Sequence, residues 1–365
     1  MSTAFHNGTI FTSHSIETNK ALLVNDHTII DIVPANEIPS HYTKEDLNGN
    51  NIAPAFIDLQ IYGGNGKMFS HDLTIESLQA TYEYCVQGGC SHFMITMATN
   101  SIEKFLQGFE LVRTYWAQGG KGLLGLHLEG PYMNPVKRGA HIEHYIKKPT
   151  IAEVTMLLEK GKDVFKMMTL APEQCDPGII ELLLKNDIII SAGHSNATYE
   201  QVLQAFDQGI PAATHLFNAM SPLQHRAPGM VGAIFNHPTV LSSIVCDGVH
   251  VDYAAVHIAK NIMGDRLFFI TDAVAETTTG EYQHLFKGDR YTLPDGTLSG
   301  SALTMMQCVK NATAHVDIPL QEALRMASTY PAELLAGKKL GKIEKGYEAN
   351  LVIFDNSLQI HRVYC

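Results

Sequence analysis

The chain has 365 residues, 45% of them hydrophobic and 17% charged, with 26 Lys and Arg against 37 Asp and Glu for a formal net charge of -11. This composition can bury a sizeable core and excludes extended disorder, while the acidic balance without a basic run excludes nucleic acid or an anionic membrane as a bulk partner. No stretch reaches the ~20 apolar residues of a membrane span, the start lacks a signal-peptide layout, and the six cysteines show no CxxC spacing, so a cytoplasmic protein with reduced thiols is expected.

Residues 8–12, 21–25 and 28–34 read as short strands, the last two joined by an Asn25-Asp26-His27 turn. From Ile52 onward apolar strand-like runs alternate with amphipathic helical segments. The runs cover 55–61, 92–96, 122–128, 164–170, 188–192, 212–215, 241–245 and 267–270, and helical candidates at 102–118, 150–160, 198–208 and 252–263 fall between them. Eight such runs predict an α/β fold, a (β/α)8 barrel of the TIM type. After Asp272 a β-like insertion spans 282–297, followed by helices at 304–316 and 319–326; the tail 341–355 reads as two more strands around a Gly turn. Strands at both ends predict a small β-sandwich domain of residues 1–52 and 336–365 beside a barrel of residues 53–335.

A barrel of this kind carries its site at the C-terminal ends of its strands. Those ends hold Asp58 and Gln60, His127 and Glu129, His194, His215, Asp247 and His250, and Asp272. Singly, each has a structural explanation, because a His closing an apolar strand is commonly a hydrogen-bonded core residue and a strand-end Asp commonly caps the next helix. Glu129, His194, His215, His250 and Asp272 on five separate strands, all at one edge of one sheet, point instead to function.

Glu129, His194 and His215 offer one carboxylate and two imidazoles, a set suited to one divalent metal per subunit, Zn2+ foremost, with Fe2+, Mn2+ or Co2+ also accommodated. A cation acidifies a bound water, and Asp272 is the candidate to take its proton and deliver it to a leaving group. Asn218, His225 and Arg226 form a polar, cationic loop suited to an anionic group such as phosphate, although a solvated surface Arg is an equal reading there. The turn Tyr62-Gly63-Gly64-Asn65-Gly66-Lys67 does not fit the Walker spacing and reads as tight strand-to-loop geometry; Met305 and Met306 read as core.

The segments Gly125-Leu-His-Leu-Glu-Gly-Pro131, Ser191-Ala-Gly-His-Ser-Asn-Ala-Thr198, Thr214-His-Leu-Phe-Asn-Ala-Met220, Asp247-Gly-Val-His250, Thr271-Asp-Ala273 and Leu298-Ser-Gly-Ser301 together resemble the N-acetylglucosamine-6-phosphate deacetylases of the amidohydrolase superfamily. The resemblance implies removal of acetate from a phosphorylated amino sugar by a homodimer. It implies a metal on Glu129, His194 and His215, Asp272 as proton acceptor and donor, and His141 polarising the acetyl carbonyl. It further implies sugar or phosphate contacts from Ala140, His141, Asn218, Ala219, Arg226, Asp247, His250, Leu298, Ser299 and Gly300, part of them completed by a second subunit.

One departure bears on the metal count. Many amidohydrolases carry His-x-His at the end of the first strand and bind a second metal there, whereas this chain has Gln60-Ile-Tyr62. Neutral amide and phenol are poor ligands beside imidazole, so a single ion is expected. Two other readings stand beside this one: an amidohydrolase acting on a different amide, and a non-catalytic barrel used as a scaffold.

Overall fold

The computed structural model describes residues 2–365. Its centre is an eight-stranded parallel sheet in sequential order, β1 (Phe56–Ile61), β2 (Cys90–Ala98), β3 (Leu123–Glu129), β4 (Phe165–Leu170), β5 (Ile189–Ala192), β6 (Ala212–Ala213), β7 (Leu241–Ile244) and β8 (Leu267–Phe269). The ring closes just past β8, where the Asp272 N–H donates to the Gln60 carbonyl at 3.0 Å and the Tyr62 N–H to the Ala273 carbonyl at 2.9 Å. All eight predicted strands are present.

Each strand leads into an outer helix: α1 (Ile75–Gln87), α2 (Ile102–Ala117), α3 (Ile151–Gly161), α4 (Pro177–Lys185), α5 (Tyr199–Asp207), α6 (Gly229–Asn236), α7 (Tyr253–Met263) and α8 (Met305–His315). Strands covered on both faces are near-continuously apolar, as in Leu-Leu-Gly-Leu-His-Leu-Glu of β3, where every residue is buried. The helices start where a side chain can take an orphan backbone N–H. Thr74, Ser101, Thr150, Thr198, Asp252 and Thr304 all do so, Thr198 within a full capping box with Gln201, and replacing such a cap by Ala typically costs about 1 kcal/mol.

Two further sheets come from the chain ends. One has the order Thr28–Pro34, Lys20–Asn25, Ser2–His6, Thr43–Asp46; the other runs Ile360–Tyr364, Leu351–Phe354, Asn51–Pro54, Thr9–Phe11, Ile16–Glu17. Phe5, Leu22, Ile29, Ile52, Leu351 and Ile353 pack in one cluster drawn from both ends, while Phe11, Ala53 and Phe354 join the barrel core. The tail differs from expectation. Residues 341–350 form no regular strand, since Gly346 turns at φ +81° and Ile343 is buried with the cluster; the paired strands are Leu351–Phe354 and Ile360–Tyr364.

The 282–297 insertion is a three-stranded meander of Leu285–Phe286, Arg290–Thr292 and Leu298–Ser301. Its last strand lies against the end of the barrel, the Ser301 N–H donating to the Asp272 carbonyl at 2.8 Å. Gly300 permits that approach, because a Cβ there would stand 2.5 Å from the Asp272 carbonyl oxygen.

Candidate active site

His194, His215 and Asp272 each follow a barrel strand in the left-handed backbone region, at φ +48°, +35° and +54°. Non-glycine residues enter that region at a cost of roughly 1–3 kcal/mol each, so the surrounding fold must enforce it. All three side chains are buried; the two histidines meet Glu129 from the end of β3, and Asp272 is linked to it through the Gln60 amide.

Glu129 Oε1 lies 3.3 Å from His194 Nε2 and 3.2 Å from His215 Nε2, and the two imidazole nitrogens are 3.1 Å apart. Ligands held about 2.0–2.1 Å from a tetrahedral cation stand about 3.3–3.4 Å from one another. The triangle therefore matches the base of a tetrahedral site and leaves the fourth position open. His194 has the protonation pattern of a ligand: its Nδ1 donates to the Lys137 carbonyl at 2.9 Å, so its Nε2 carries a lone pair. These residues fit a divalent cation.

Glu129, His141 and His194 also present ligand atoms within 4.8 Å of one another. The hydrogen bonding assigns His141 a different part. Its Nδ1 accepts from the Thr99 N–H at 3.2 Å, so Nε2 carries the proton and donates to Glu129 Oε2 at 3.1 Å. In that tautomer His141 is a donor aimed into the site and no ligand.

Across from the triangle, the Gln60 side-chain amide lies 3.0 Å from Glu129 Oε1, 2.8 Å from Asp272 Oδ1 and 3.1 Å from the Tyr62 hydroxyl, and that hydroxyl donates to Glu129 Oε2. An amide and a phenol thus stand between the two carboxylates where a His-x-His pair would hold a second ion. The cavity above is about 420 Å³, and its walls include Ala140, His141, Asn218, Ala219, His250, Leu298, Ser299 and Gly300. Asn218 Nδ2 is buried there without a hydrogen-bond partner, a free donor on the wall.

Residues 51–365 match the Amidohydrolase family, and residues 4–52 match the NagA composite domain. The chain belongs to the amidohydrolase family. It is 37% identical to the N-acetylglucosamine-6-phosphate deacetylase of Haemophilus influenzae over 99% of this chain and 97% of that one. It is 33% identical to an N-acetylgalactosamine-6-phosphate deacetylase of Shewanella sp., over 87% and 82% respectively. Among solved structures it resembles N-acetylglucosamine-6-phosphate deacetylase from Pasteurella multocida, with a TM-score of 0.95, 36% identity and coverage of 100% and 98%. The Mycobacterium smegmatis deacetylase in complex with N-acetyl-D-glucosamine-6-phosphate matches with a TM-score of 0.90 at 27% identity, over 100% and 97%.

The electrostatics of the amidohydrolase site follow from burial. Burial pushes the Asp272 carboxyl above the ordinary aspartate range, with Glu129 adding to it against the pull of His215. Burial acts on Glu129 in the same sense, but three facing imidazoles outweigh it and hold that carboxyl well below the usual range. The His194 imidazole is driven down to about 4 by burial and by His141. Glu129 is thus kept anionic, and Asp272 is poised to hold a proton.

His250 sits between two oxygens that only accept: Nδ1 lies 2.6 Å from Asp247 Oδ2 and Nε2 lies 2.6 Å from the Ser299 carbonyl. Both ring nitrogens must then donate, which makes His250 a cation on the cavity wall. Burial opposes the charge, but the Asp247 carboxylate raises the His250 imidazole above its ordinary value. Asp247 itself does not line the cavity and acts through His250.

Arg226 is not brought in either. Gln224 and Ala227 exchange backbone hydrogen bonds at 3.1 Å, and this tight turn leaves His225 and Arg226 at its exposed tip, outside the cavity of the single chain. Asp58 and His127 lie beneath the site. Asp58 accepts from the Gln60 and Thr271 N–H groups and from the Thr271 hydroxyl, and His127 bonds Thr169 at 2.8 Å and the Leu59 carbonyl at 3.1 Å.

Several cavity residues carried no readable signal. His71, Asn100, Lys104, Glu281, Tyr282 and His284 all line it. Tyr282 ties the meander to the His141 loop, its hydroxyl donating to the Thr99 carbonyl at 2.7 Å and accepting from the Ile142 N–H at 3.3 Å. His284 faces the Ser299 hydroxyl at 2.5 Å. The one available clue was the insertion itself, since loops on this face of a barrel close over the site.

Proposed function

We propose that this amidohydrolase hydrolyses the acetamide of N-acetyl-D-glucosamine 6-phosphate to D-glucosamine 6-phosphate and acetate. The observation that carries the reading is the Glu129, His194 and His215 triangle with Asp272 beside it, in a cavity whose lining includes the His250 cation and the free Asn218 donor. The ion, Zn2+ in our reading, would acidify a water and draw charge from the acetyl carbonyl when bound.

This chain's residues do the rest. Asp272 takes the proton that the attacking water gives up as its oxygen bonds the acetyl carbon, then passes it to the sugar nitrogen as the C–N bond breaks. His141 Nε2–H is positioned to donate to the carbonyl oxygen as charge develops there, a donor in place before the reaction begins. Asn218 would donate to a phosphate or sugar oxygen, and the His250 cation, whose two N–H groups are held by Asp247 and the Ser299 carbonyl, would attract the phosphate by its charge, helped by the Leu298 to Gly300 strand. Arg226, exposed on its turn, would reach the cavity of a second subunit in a homodimer. We assign the barrel chemistry to residues 53–335 and the supporting sandwich to 1–52 with 336–365. The reaction belongs in the cytoplasm, where a doubly charged phosphosugar is retained.

The test is acetate release by the zinc-loaded enzyme from four substrates: the 6-phosphates of N-acetylglucosamine and N-acetylgalactosamine, and both sugars without phosphate. The expected result is a kcat/KM for the glucosamine phosphate at least a hundredfold above its unphosphorylated form. Equal rates with and without phosphate would remove the role given to His250; no acetate from any of them would remove the function. Preference for the galactosamine phosphate would keep the chemistry and change the sugar. Mixed dimers of Arg226→Ala and Asp272→Asn chains should regain activity if Arg226 acts across the dimer.

A further inference from the structure

Tyr62 is a residue that the chemistry above leaves without a task. It is buried at the end of β1, its ring packs with Met68, Val274 and Ala275, and its hydroxyl donates to Glu129 Oε2 while accepting from the Gln60 amide at 3.1 Å. The two oxygens of Glu129 are therefore sorted by their neighbours. Oε1 forms the triangle with His194 and His215 and also faces the Gln60 amide at 3.0 Å, and Oε2 is taken by two donors, Tyr62 and His141.

His141 cannot hold both partners. Its single Nε2 proton serves Glu129 Oε2 in the resting chain, and polarising a substrate carbonyl requires that the same proton turn away. A carboxylate left with one free oxygen beside a cation can swing to bind through both oxygens or rotate out of the triangle. A donor that stays would prevent either movement.

We propose that Tyr62 is a positioning residue whose hydroxyl keeps Glu129 Oε2 occupied, so that the carboxylate presents only Oε1 to the metal and holds that orientation when His141 turns to the substrate. This rests on the reading of Glu129, His194 and His215 as the ligand set. The phenol does for the ligating carboxylate what a hydrogen-bonded carbonyl or carboxylate does for a ligating imidazole: it fixes which atom faces the ion.

Tyr62→Phe removes only the oxygen and leaves the ring in its apolar cluster, and thermal melting checks that the fold is kept. The readout is Zn2+ affinity, from competition of a chromogenic chelator against the zinc-loaded enzyme without substrate. Loss of an orienting partner of this kind typically weakens metal binding about 10- to 100-fold, and a weakening of at least tenfold is expected. Glu129→Gln is run beside it. Tyr62→Phe within twofold of the parent chain, with Glu129→Gln strongly weakened, overturns the role of Tyr62 alone. Unchanged affinity in both variants overturns the ligand set itself.

Discussion

Asp58 offers a prediction whose size can be worked out from its surroundings. It is fully buried on β1 with no cationic partner, and burial pushes its carboxyl from 3.8 up to about 7, against the three hydrogen bonds that favour the anion. In the unfolded chain the same group titrates near 4. Between those values the native state holds a proton that the unfolded state releases, so unfolding becomes easier as pH rises from about 4 to about 7. At ~1.4 kcal/mol per pH unit the total is roughly 4 kcal/mol, present at low pH and lost by neutrality. Asn resembles the protonated acid: its oxygen can take the Gln60 and Thr271 N–H groups, and its amide faces the Thr271 hydroxyl. Asp58→Asn should therefore match the parent chain near pH 4 and exceed it by up to roughly 4 kcal/mol at pH 8. Urea midpoints of both proteins at half-unit pH steps give the difference curve, in which titrating groups remote from Asp58 cancel. A flat difference between pH 4 and 8 would refute the reasoning.

Other outcomes follow from the same geometry. Asp272→Asn should lower kcat about a thousandfold, with zinc content by mass spectrometry and KM nearly unchanged; loss of the metal as well would contradict a role confined to proton transfer. His194→Ala should abolish tight zinc binding and remove the stabilisation that the ion supplies, about 4 kcal/mol when free zinc exceeds Kd by a thousandfold, so added zinc should no longer raise the melting temperature. Asp247→Asn should raise KM for the phosphorylated substrate about tenfold and leave the unphosphorylated sugar's kcat/KM within twofold, because it removes the partner that keeps His250 charged. Burial holds His127 down to about 4, so the unfolded chain takes up its proton first as pH falls below 6.5; this group's contribution to stability is lost between pH 6.5 and 4, opposite in sign to that of Asp58, and the denaturant midpoints of His127→Gln minus those of the parent chain should rise as pH falls through that window.

The barrel was legible because a strand covered on both faces must be nearly all apolar, and runs such as Phe165–Leu170 and Leu123–Glu129 have no other use for so many buried side chains. The same property exposed the site. Glu129, His194, His215 and Asp272 each interrupt the end of an apolar run, where a polar residue needs a reason. Helices were less evenly readable: α4 (Pro177–Lys185) and α6 (Gly229–Asn236) are short, and α6 carries Gly229, Met230, Val231, Gly232 and Ala233 all buried, so no polar face marks a helical period. Loop residues were the hardest. Lys104 and His71 face the cavity only because the barrel closes, and Tyr282 and His284 only because the meander folds back over it, neither of which is encoded locally. Arg226 is the converse case: its chemistry suits a phosphate, but a four-residue turn leaves it outside the cavity of its own chain.

The five-stranded sheet has a temporal consequence. Asn51–Pro54 leads directly into the barrel, yet its neighbour on one side, Leu351–Phe354, emerges almost 300 residues later. At ribosomal speeds of about 5–20 residues per second, this edge stays unpartnered for roughly 15–60 s while the barrel strands are being made. An open edge rich in apolar residues invites pairing with a neighbouring nascent chain, and here it is sealed only once Leu351–Phe354 has been made. Loss of Leu351–Phe354 would thus act on a strand made almost 300 residues earlier, leaving an intact catalytic sequence attached to an adhesive seam.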